Sequence, residues 1–198
     1  MDASSPGPEE MIDSAIWSCP GDSRTAAQNA IRAGFDGVEM HGVDEYFVGR
    51  FSQDTVNQRT DSRGCSVDNR SRFALKVVKA VTNAIGSNKV GMRLISHTVR
   101  GLVELNISYL RLIESRVNNK VDCEQTEGIE FALDIWQDQG PVFVAGGYDG
   151  ARARSAVDGE HQDRDTLIVF GRYFLSSPDL VYRLQHGIEP NEYDCSTF

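Results

Sequence analysis

The chain has little that would send it to a membrane, a secretory route or nucleic acid. No run of about eighteen consecutive apolar residues occurs, which excludes a membrane-spanning helix. Met1 to Glu10 are acidic and rich in Ser, Pro and Gly, with neither the basic start nor the apolar middle of a signal peptide. Cysteine is sparse: Cys19, Cys65, Cys123 and Cys195 are widely spaced and form no C-x-x-C pair. Free thiols are expected rather than a disulfide frame or a zinc site. Positive charge is in deficit as well. The formal net charge is −9, the wrong sign for non-specific binding to phosphate backbones. Together these absences predict a cytoplasmic protein with no membrane or nucleic-acid partner.

What is present is a regular alternation of elements in 198 residues, enough for one domain with a core of useful size. Residues 1–20 read as a flexible leader in which only Met11 to Trp17 has a helical pattern, and residues 21–198 as the domain proper. Residues 22–33 set Ala26, Ala27, Ala30 and Ile31 on one helical face, with Gly34 as terminator. Phe35 to Met40 reads as a buried strand, and a long polar loop follows from Gly42 to about Gly64. Ser66 to Ile85 is the clearest helix: Ala74, Val77, Val78, Val81 and Ile85 keep the 3.6-residue period between a Ser66 cap and a Gly86 stop. Further strands are expected at Val90 to Ile95, Ile107 to Ile113, Pro141 to Ala145 and Thr166 to Phe170. Helices are expected at Val99 to Leu105, Thr126 to Gln139 and Gly150 to Val157, and a last one opened by Ser177-Pro178 and ended by Gly187.

Five strands that read as nearly continuous apolar runs, alternating with helices, imply an α/β fold with a parallel sheet buried on both faces. An open doubly wound sheet and part of a (β/α)8 TIM barrel both satisfy that pattern. No G-x-G-x-x-G follows the first strand, which weighs against a dinucleotide-type open sheet. Polar residues and glycines gather where strands end: His41, Arg93, Glu114, Gly146-Gly147 and Gly171-Arg172. Barrels carry their active sites at those ends, with phosphate commonly held by the last two βα loops, so the barrel is the expected architecture.

Several segments then resemble one family. Gly34-Phe-Asp-Gly-Val-Glu-Met-His41-Gly-Val-Asp-Glu-Tyr46 is similar to the fourth strand and loop of the Old Yellow Enzyme (NADH:flavin oxidoreductase) family, whose pattern is G-F-D-G-V-E-I/L-H-x-A-N/H-G-Y. Asn57-Gln-Arg-Thr-Asp61 and Gly64-Cys-Ser-Val-Asp-Asn-Arg-Ser-Arg-Phe73 resemble the long motif that follows it. Val90 to Leu94, Tyr109 to Glu114, Ala145-Gly-Gly147 and Phe170-Gly-Arg172 look like strands five to eight, and the tail from Ser177 to Phe198 is most like the fungal branch. The resemblance covers roughly residues 25 to 198. It implies a partial barrel retaining approximately strands 4–8, bound FMN, electrons from NAD(P)H, and an enone-type small molecule as substrate.

By the same resemblance, His41 would donate to the substrate's carbonyl or nitro oxygen and Tyr46 would protonate the α-carbon. Arg93 would lie beside the flavin ring, while Gly146, Gly147, Gly171 and Arg172 would hold the phosphate. Three departures qualify the pattern. The first three barrel strands have no counterpart, so open edges need covering, and a homodimer of half-barrels is one way to cover them. Arg93-Leu-Ile-Ser96 runs almost directly into the next helix, where the family carries a loop over the site. Asp44 stands where the family has a second oxygen-binding donor, and a carboxylate there opposes a developing enolate unless it is protonated or paired with His41. A catalytically impaired chain, or a non-redox isomerase or cyclase using Tyr46 and Asp44, therefore stays open beside the ene-reductase. Arg59, Asp61, Asn69, Arg70 and Arg72 read as a structural network, and His161 to Asp165 as a solvated loop without metal.

Overall fold

The structure, a computed structural model, describes residues 10–43, 46–94, 98–114, 117–118, 121–122 and 128–194. In chain order the elements are α1 (Asp13–Arg32), β1 (Val38–Gly42), α2 (Phe47–Ser52), α3 (Val67–Ile85), β2 (Val90–Leu94), α4 (Val99–Glu104) and β3 (Tyr109–Ile113). A short antiparallel pair, β4 (Val117–Asn118) and β5 (Val121–Asp122), comes next. The remainder is α5 (Glu130–Trp136), β6 (Val142–Ala145), α6 (Gly150–Ser155), β7 (Thr166–Ile168), α7 (Arg172–Ser176) and α8 (Leu180–His186).

The main sheet has five strands in the order β1-β2-β3-β6-β7, each pair parallel. Spatial order therefore follows chain order and never reverses. A doubly wound sheet must reverse at a switch point, whereas barrel strands follow one another around the axis. The architecture is α/β, a partial barrel.

Parallel register puts whole rows of residues on one face. Met40, Met92, Leu110 and Val142 form one row, and Leu94, Leu112 and Val144 the next. Of these, Met92 through Val144 are buried in one cluster with Phe73, Val77, Val78 and Val81 of α3, Leu102 of α4 and Trp136 of α5. The other face is different. His41, Arg93, Arg111, Phe143 and Leu167 share a row there, above Glu39, Gly91 and Tyr109. The expected burial on both faces is thus corrected: one face is dry and packed, the other half-buried and charged. The alternation is visible in Val90-Gly-Met-Arg-Leu94, where Val, Met and Leu point one way and Gly and Arg the other.

Several boundaries also differ from expectation: the first strand runs over Val38–Gly42, leaving Phe35 exposed, and α7 lies outside the expected helices. The helix expected over residues 22–33 begins at Asp13, so residues 13–20 form its first turns. Pro20-Gly21 reads as a break, because a proline inside a helix removes one backbone hydrogen bond and its ring crowds the carbonyl of Ile16. Burial of Ile16 and Ala27 in the core that α1 shares with α3 outweighs that loss. Inside the expected loop lies α2, whose Phe47 and Phe51 pack on Phe73, with Phe51 and Phe73 stacked at 4.0 Å. α3 itself is as expected, with the Ser66 hydroxyl accepting from the Asn69 N–H at its start.

The remaining loop is fixed by a polar network. The Asn57 amide donates to the Phe51 and Arg63 carbonyls, each at 2.7 Å, and Arg70 donates to the Ser52 carbonyl. Arg59 binds Asp61 at 2.7 Å and reaches Glu10 and Asp13 near the start of α1. Arg72 makes no such contact among the described residues. Hydrogen bonds from the Arg59 guanidinium and the Arg63 N–H, together with both positive charges, hold the Asp61 carboxyl at about 2, below its ordinary 3.8. Because the folded value is the lower one, this stabilisation is complete above 3.8 and is lost as pH falls through about 2. Acid unfolding followed by circular dichroism should therefore show a shallower loss of stability over that window in Asp61→Asn than in the unaltered chain. Parallel acid limbs would rule out the linkage.

Candidate functional site

Beyond β6 and β7 the backbone turns sharply, and two turns built from glycine open a cavity of about 250 Å³. Gly146 has φ +144° and Gly147 φ +67°, both in the region that side chains disfavour. A Cβ on Gly146 would stand 2.9 Å from the Glu114 Cβ, so the turn is closed to larger residues by packing too. Gly171 is different: a Cβ there would meet no protein atom within 4 Å, and glycine keeps the mouth wide. The wall is made by Arg93, Arg111 and Arg172, with Ile113 and Phe170, and by Tyr148, Tyr173 and Tyr193. Among the described residues, three guanidinium groups and no carboxylate line this cavity, in a chain of net charge −9. That donor set is the chemistry of an anion site.

Arg93 links the cavity to β1. Its Nη1 lies 3.0 Å from His41 Nε2, and the two residues are register partners across β1 and β2. Guanidinium has no acceptor, so His41 must accept at Nε2 and carry its proton at Nδ1. On its other side the His41 ring meets Tyr46, centroids 4.1 Å apart and planes tilted by 37°. Tyr46 immediately precedes α2 and is 61% exposed, which leaves the phenol accessible from solvent. Tyr46, His41 and Arg93 are therefore contiguous.

Arg111 adds a second link. Its Nη1 pairs with Glu39 Oε1 at 3.2 Å, and the Tyr109 hydroxyl donates to Glu39 Oε2 at 3.1 Å. The Tyr109 ring lies over Gly91, where a Cβ would fall 2.1 Å from the ring, so that glycine is required by the contact. Burial and the neighbouring Glu39 carboxylate, which also accepts its hydrogen bond, push the Tyr109 phenol up to about 12. Tyr109 is thus a neutral donor at every physiological pH. Arg111 Nε is buried and makes no hydrogen bond among the described residues.

Of the residues expected from the sequence, Arg93, Gly146, Gly147, Gly171 and Arg172 come together in this cavity, with His41 and Tyr46 beside it. Asp44 and the stretch Ile95 to His97 lie outside the described residues. Arg111, Tyr148, Tyr173 and Tyr193 line the cavity without having been singled out. For Arg111 a signal existed, because Tyr109-Leu-Arg111 alternates in phase with Arg93; Tyr193 arrives by a tertiary contact that leaves no local pattern. His161 is 5% exposed, which corrects its expected place in a solvated loop: it caps the π-helical turn Ala156–Glu160 and donates its backbone N–H to the Ala156 carbonyl. Among the described residues no group of His, Cys, Asp or Glu could hold a metal, and Cys19 and Cys65 are free. No helix among them is long and apolar enough to cross a membrane.

Known proteins resemble the chain in both sequence and fold. The sequence profile of the NADH:flavin oxidoreductase / NADH oxidase family matches residues 6–103. A chanoclavine-I aldehyde reductase of Penicillium roqueforti is 38% identical over 100% of this chain and 58% of its own length. A probable inactive dehydrogenase of Claviceps purpurea is 36% identical over 98% of the chain and 57% of its own length. The chain thus spans under three-fifths of the curated relatives it matches. Morphinone reductase superposes with a TM-score of 0.80 at 32% identity, covering 98% of this chain and 55% of that one, and it has also been solved in complex with tetrahydroNAD. The chain is a member of the NADH:flavin oxidoreductase / NADH oxidase family, matching the C-terminal part of its relatives.

Proposed function

We propose that the chain binds FMN and serves an NAD(P)H-dependent reduction of an activated C=C bond, of the kind found in enones. The observation that supports this most is the cavity itself, in which three arginines and two positive-φ glycines surround space for an anionic group. The phosphate would be held by Arg172 and by the backbone at Gly146, Gly147 and Gly171, and the ring system would lie toward Arg93. FMN, when bound, supplies hydride chemistry. The chain's own residues supply the rest. His41, bonded to Arg93 through Nε2, would donate from Nδ1 to a substrate carbonyl oxygen. Tyr46, in ring contact with His41 and open to solvent, would protonate the substrate and be reprotonated from water.

The test is to purify the chain, add FMN and look for the visible absorption band of a protein-bound flavin and its bleaching by NADPH or NADH. Bleaching followed by recovery on adding cyclohexenone supports the reading; a folded chain that takes up no flavin overturns it. Under this reading Tyr46→Phe should lower turnover by about 10²- to 10⁴-fold while leaving flavin uptake unchanged.

A second reading has a specific observation behind it, the 36% identity to a protein described as a probable inactive dehydrogenase. Here the fold and the anion site persist without turnover. Flavin that binds and bleaches, but is not reoxidised by any enone, would favour it. Product formed without NAD(P)H would instead indicate isomerase or cyclase chemistry.

A further inference from the structure

α8 ends at Gly187, whose φ of +67° turns the chain back on itself. The segment that follows is tied to the end of α7. Asn191 donates its backbone N–H to the Ser177 hydroxyl at 2.8 Å and its amide to the Ser176 carbonyl at 2.9 Å. The Ser176 hydroxyl donates back to the Asn191 carbonyl at 2.8 Å, and Arg183, held by Asp179 at 2.7 Å, donates to the Glu189 carbonyl. Ser177 is fully buried beneath these contacts. The result is a strap whose end carries Tyr193 into the cavity wall.

There the ring lies 4.5 Å from the Arg172 guanidinium carbon and meets Tyr173 edge-on, at 5.1 Å and 79°. A guanidinium is planar. Its face can rest on an aromatic ring while its in-plane N–H groups still point at an anion, a division of labour that an ammonium cannot make. Unsupported, the long Arg172 side chain would spread over many rotamers, and ordering it would count against ligand binding.

We propose that Tyr193 is a positioning residue: it holds Arg172 with its N–H edge toward the cavity and so makes the site prefer a flavin ending in phosphate over one ending in a hydroxyl. The proposal rests on the FMN reading and assigns the tail a part in ligand selection. Its test is to titrate the full chain with FMN and with riboflavin, following the quenching of flavin fluorescence. The unaltered chain and Tyr193→Phe, which keeps the ring, should share a preference for FMN. Tyr193→Leu should weaken FMN binding by about three- to thirtyfold and leave riboflavin unchanged. Asn191→Ala, which loosens the strap without touching the ring, should shift the ratio in the same direction and keeps the test decisive if Tyr193→Leu fails to fold. An unchanged FMN-to-riboflavin ratio in both variants, or an equal loss of both flavins, overturns the inference and leaves the FMN reading standing. Binding of neither flavin by the unaltered chain overturns both.

Discussion

Arg172→Ala is expected to weaken FMN binding by roughly two to three orders of magnitude, as read by flavin fluorescence quenching, with little effect on riboflavin. Removing one member of a hydrogen-bonded charge pair costs up to about 2–5 kcal/mol when ligand binding desolvates the pair, and Arg172 is already half-buried at the cavity wall. The other contributors cannot compensate. Gly146 and Gly147 offer backbone dipoles rather than charge. Arg111 shares its charge with Glu39 at 3.2 Å, and Arg93 is engaged with His41 at 3.0 Å. Arg172→Lys should recover only part of the loss: an ammonium restores the charge but not the flat, forked donor set that rests on Tyr193. Raising salt should weaken FMN binding more in the unaltered chain than in Arg172→Ala, which lacks one of the charges that screening acts on. If Arg172→Ala binds FMN and riboflavin as the unaltered chain does, the arginine-lined cavity is not where the phosphate sits.

Much of this site could be read in the sequence because its residues occupy strand ends, and strand ends in parallel folds are marked by Gly and charge after an apolar run. Gly146-Gly147 and Gly171-Arg172 follow Val142–Ala145 and Thr166–Ile168 in that way. The overlooked parts have two physical causes. Short alternating strands such as Tyr109–Ile113 resemble continuous apolar runs when Tyr is counted as apolar, which concealed Arg111 and the charged face. Contacts closed across the fold carry no periodicity at all. The Tyr193 strap depends on hydrogen bonds between residues 14 and 15 positions apart, and the joining of α1 across Pro20 depends on burial against α3. Local propensity disfavours a proline there, and tertiary packing overrides it.

Trp136→Ala should destabilise the chain by about 3–5 kcal/mol in chemical denaturation, close to the whole stability of a marginal domain. Trp136 is wholly buried and belongs to the cluster that joins α5 to the packed face of the sheet. Its indole N–H donates to the Gly140 carbonyl at 2.8 Å, so truncation leaves both a cavity and a carbonyl without its donor. The turn it supports is tight, since a Cβ on Gly140 would stand 2.6 Å from the Ser108 carbonyl oxygen. That turn feeds β6, which delivers Gly146 and Gly147 to the cavity. The loss should therefore appear in flavin binding too, at temperatures below the melting transition, where Gly146 and Gly147 lose their fixed register against Glu114. Trp17, the chain's second tryptophan, is the control: it is 59% exposed, with the Lys76 ammonium 3.2 Å from its ring centroid. Trp17→Ala should cost only about 0.5–1 kcal/mol and leave flavin binding unchanged. Equal costs for the two substitutions would mean that the α5 face of the sheet does not form the core of this fold.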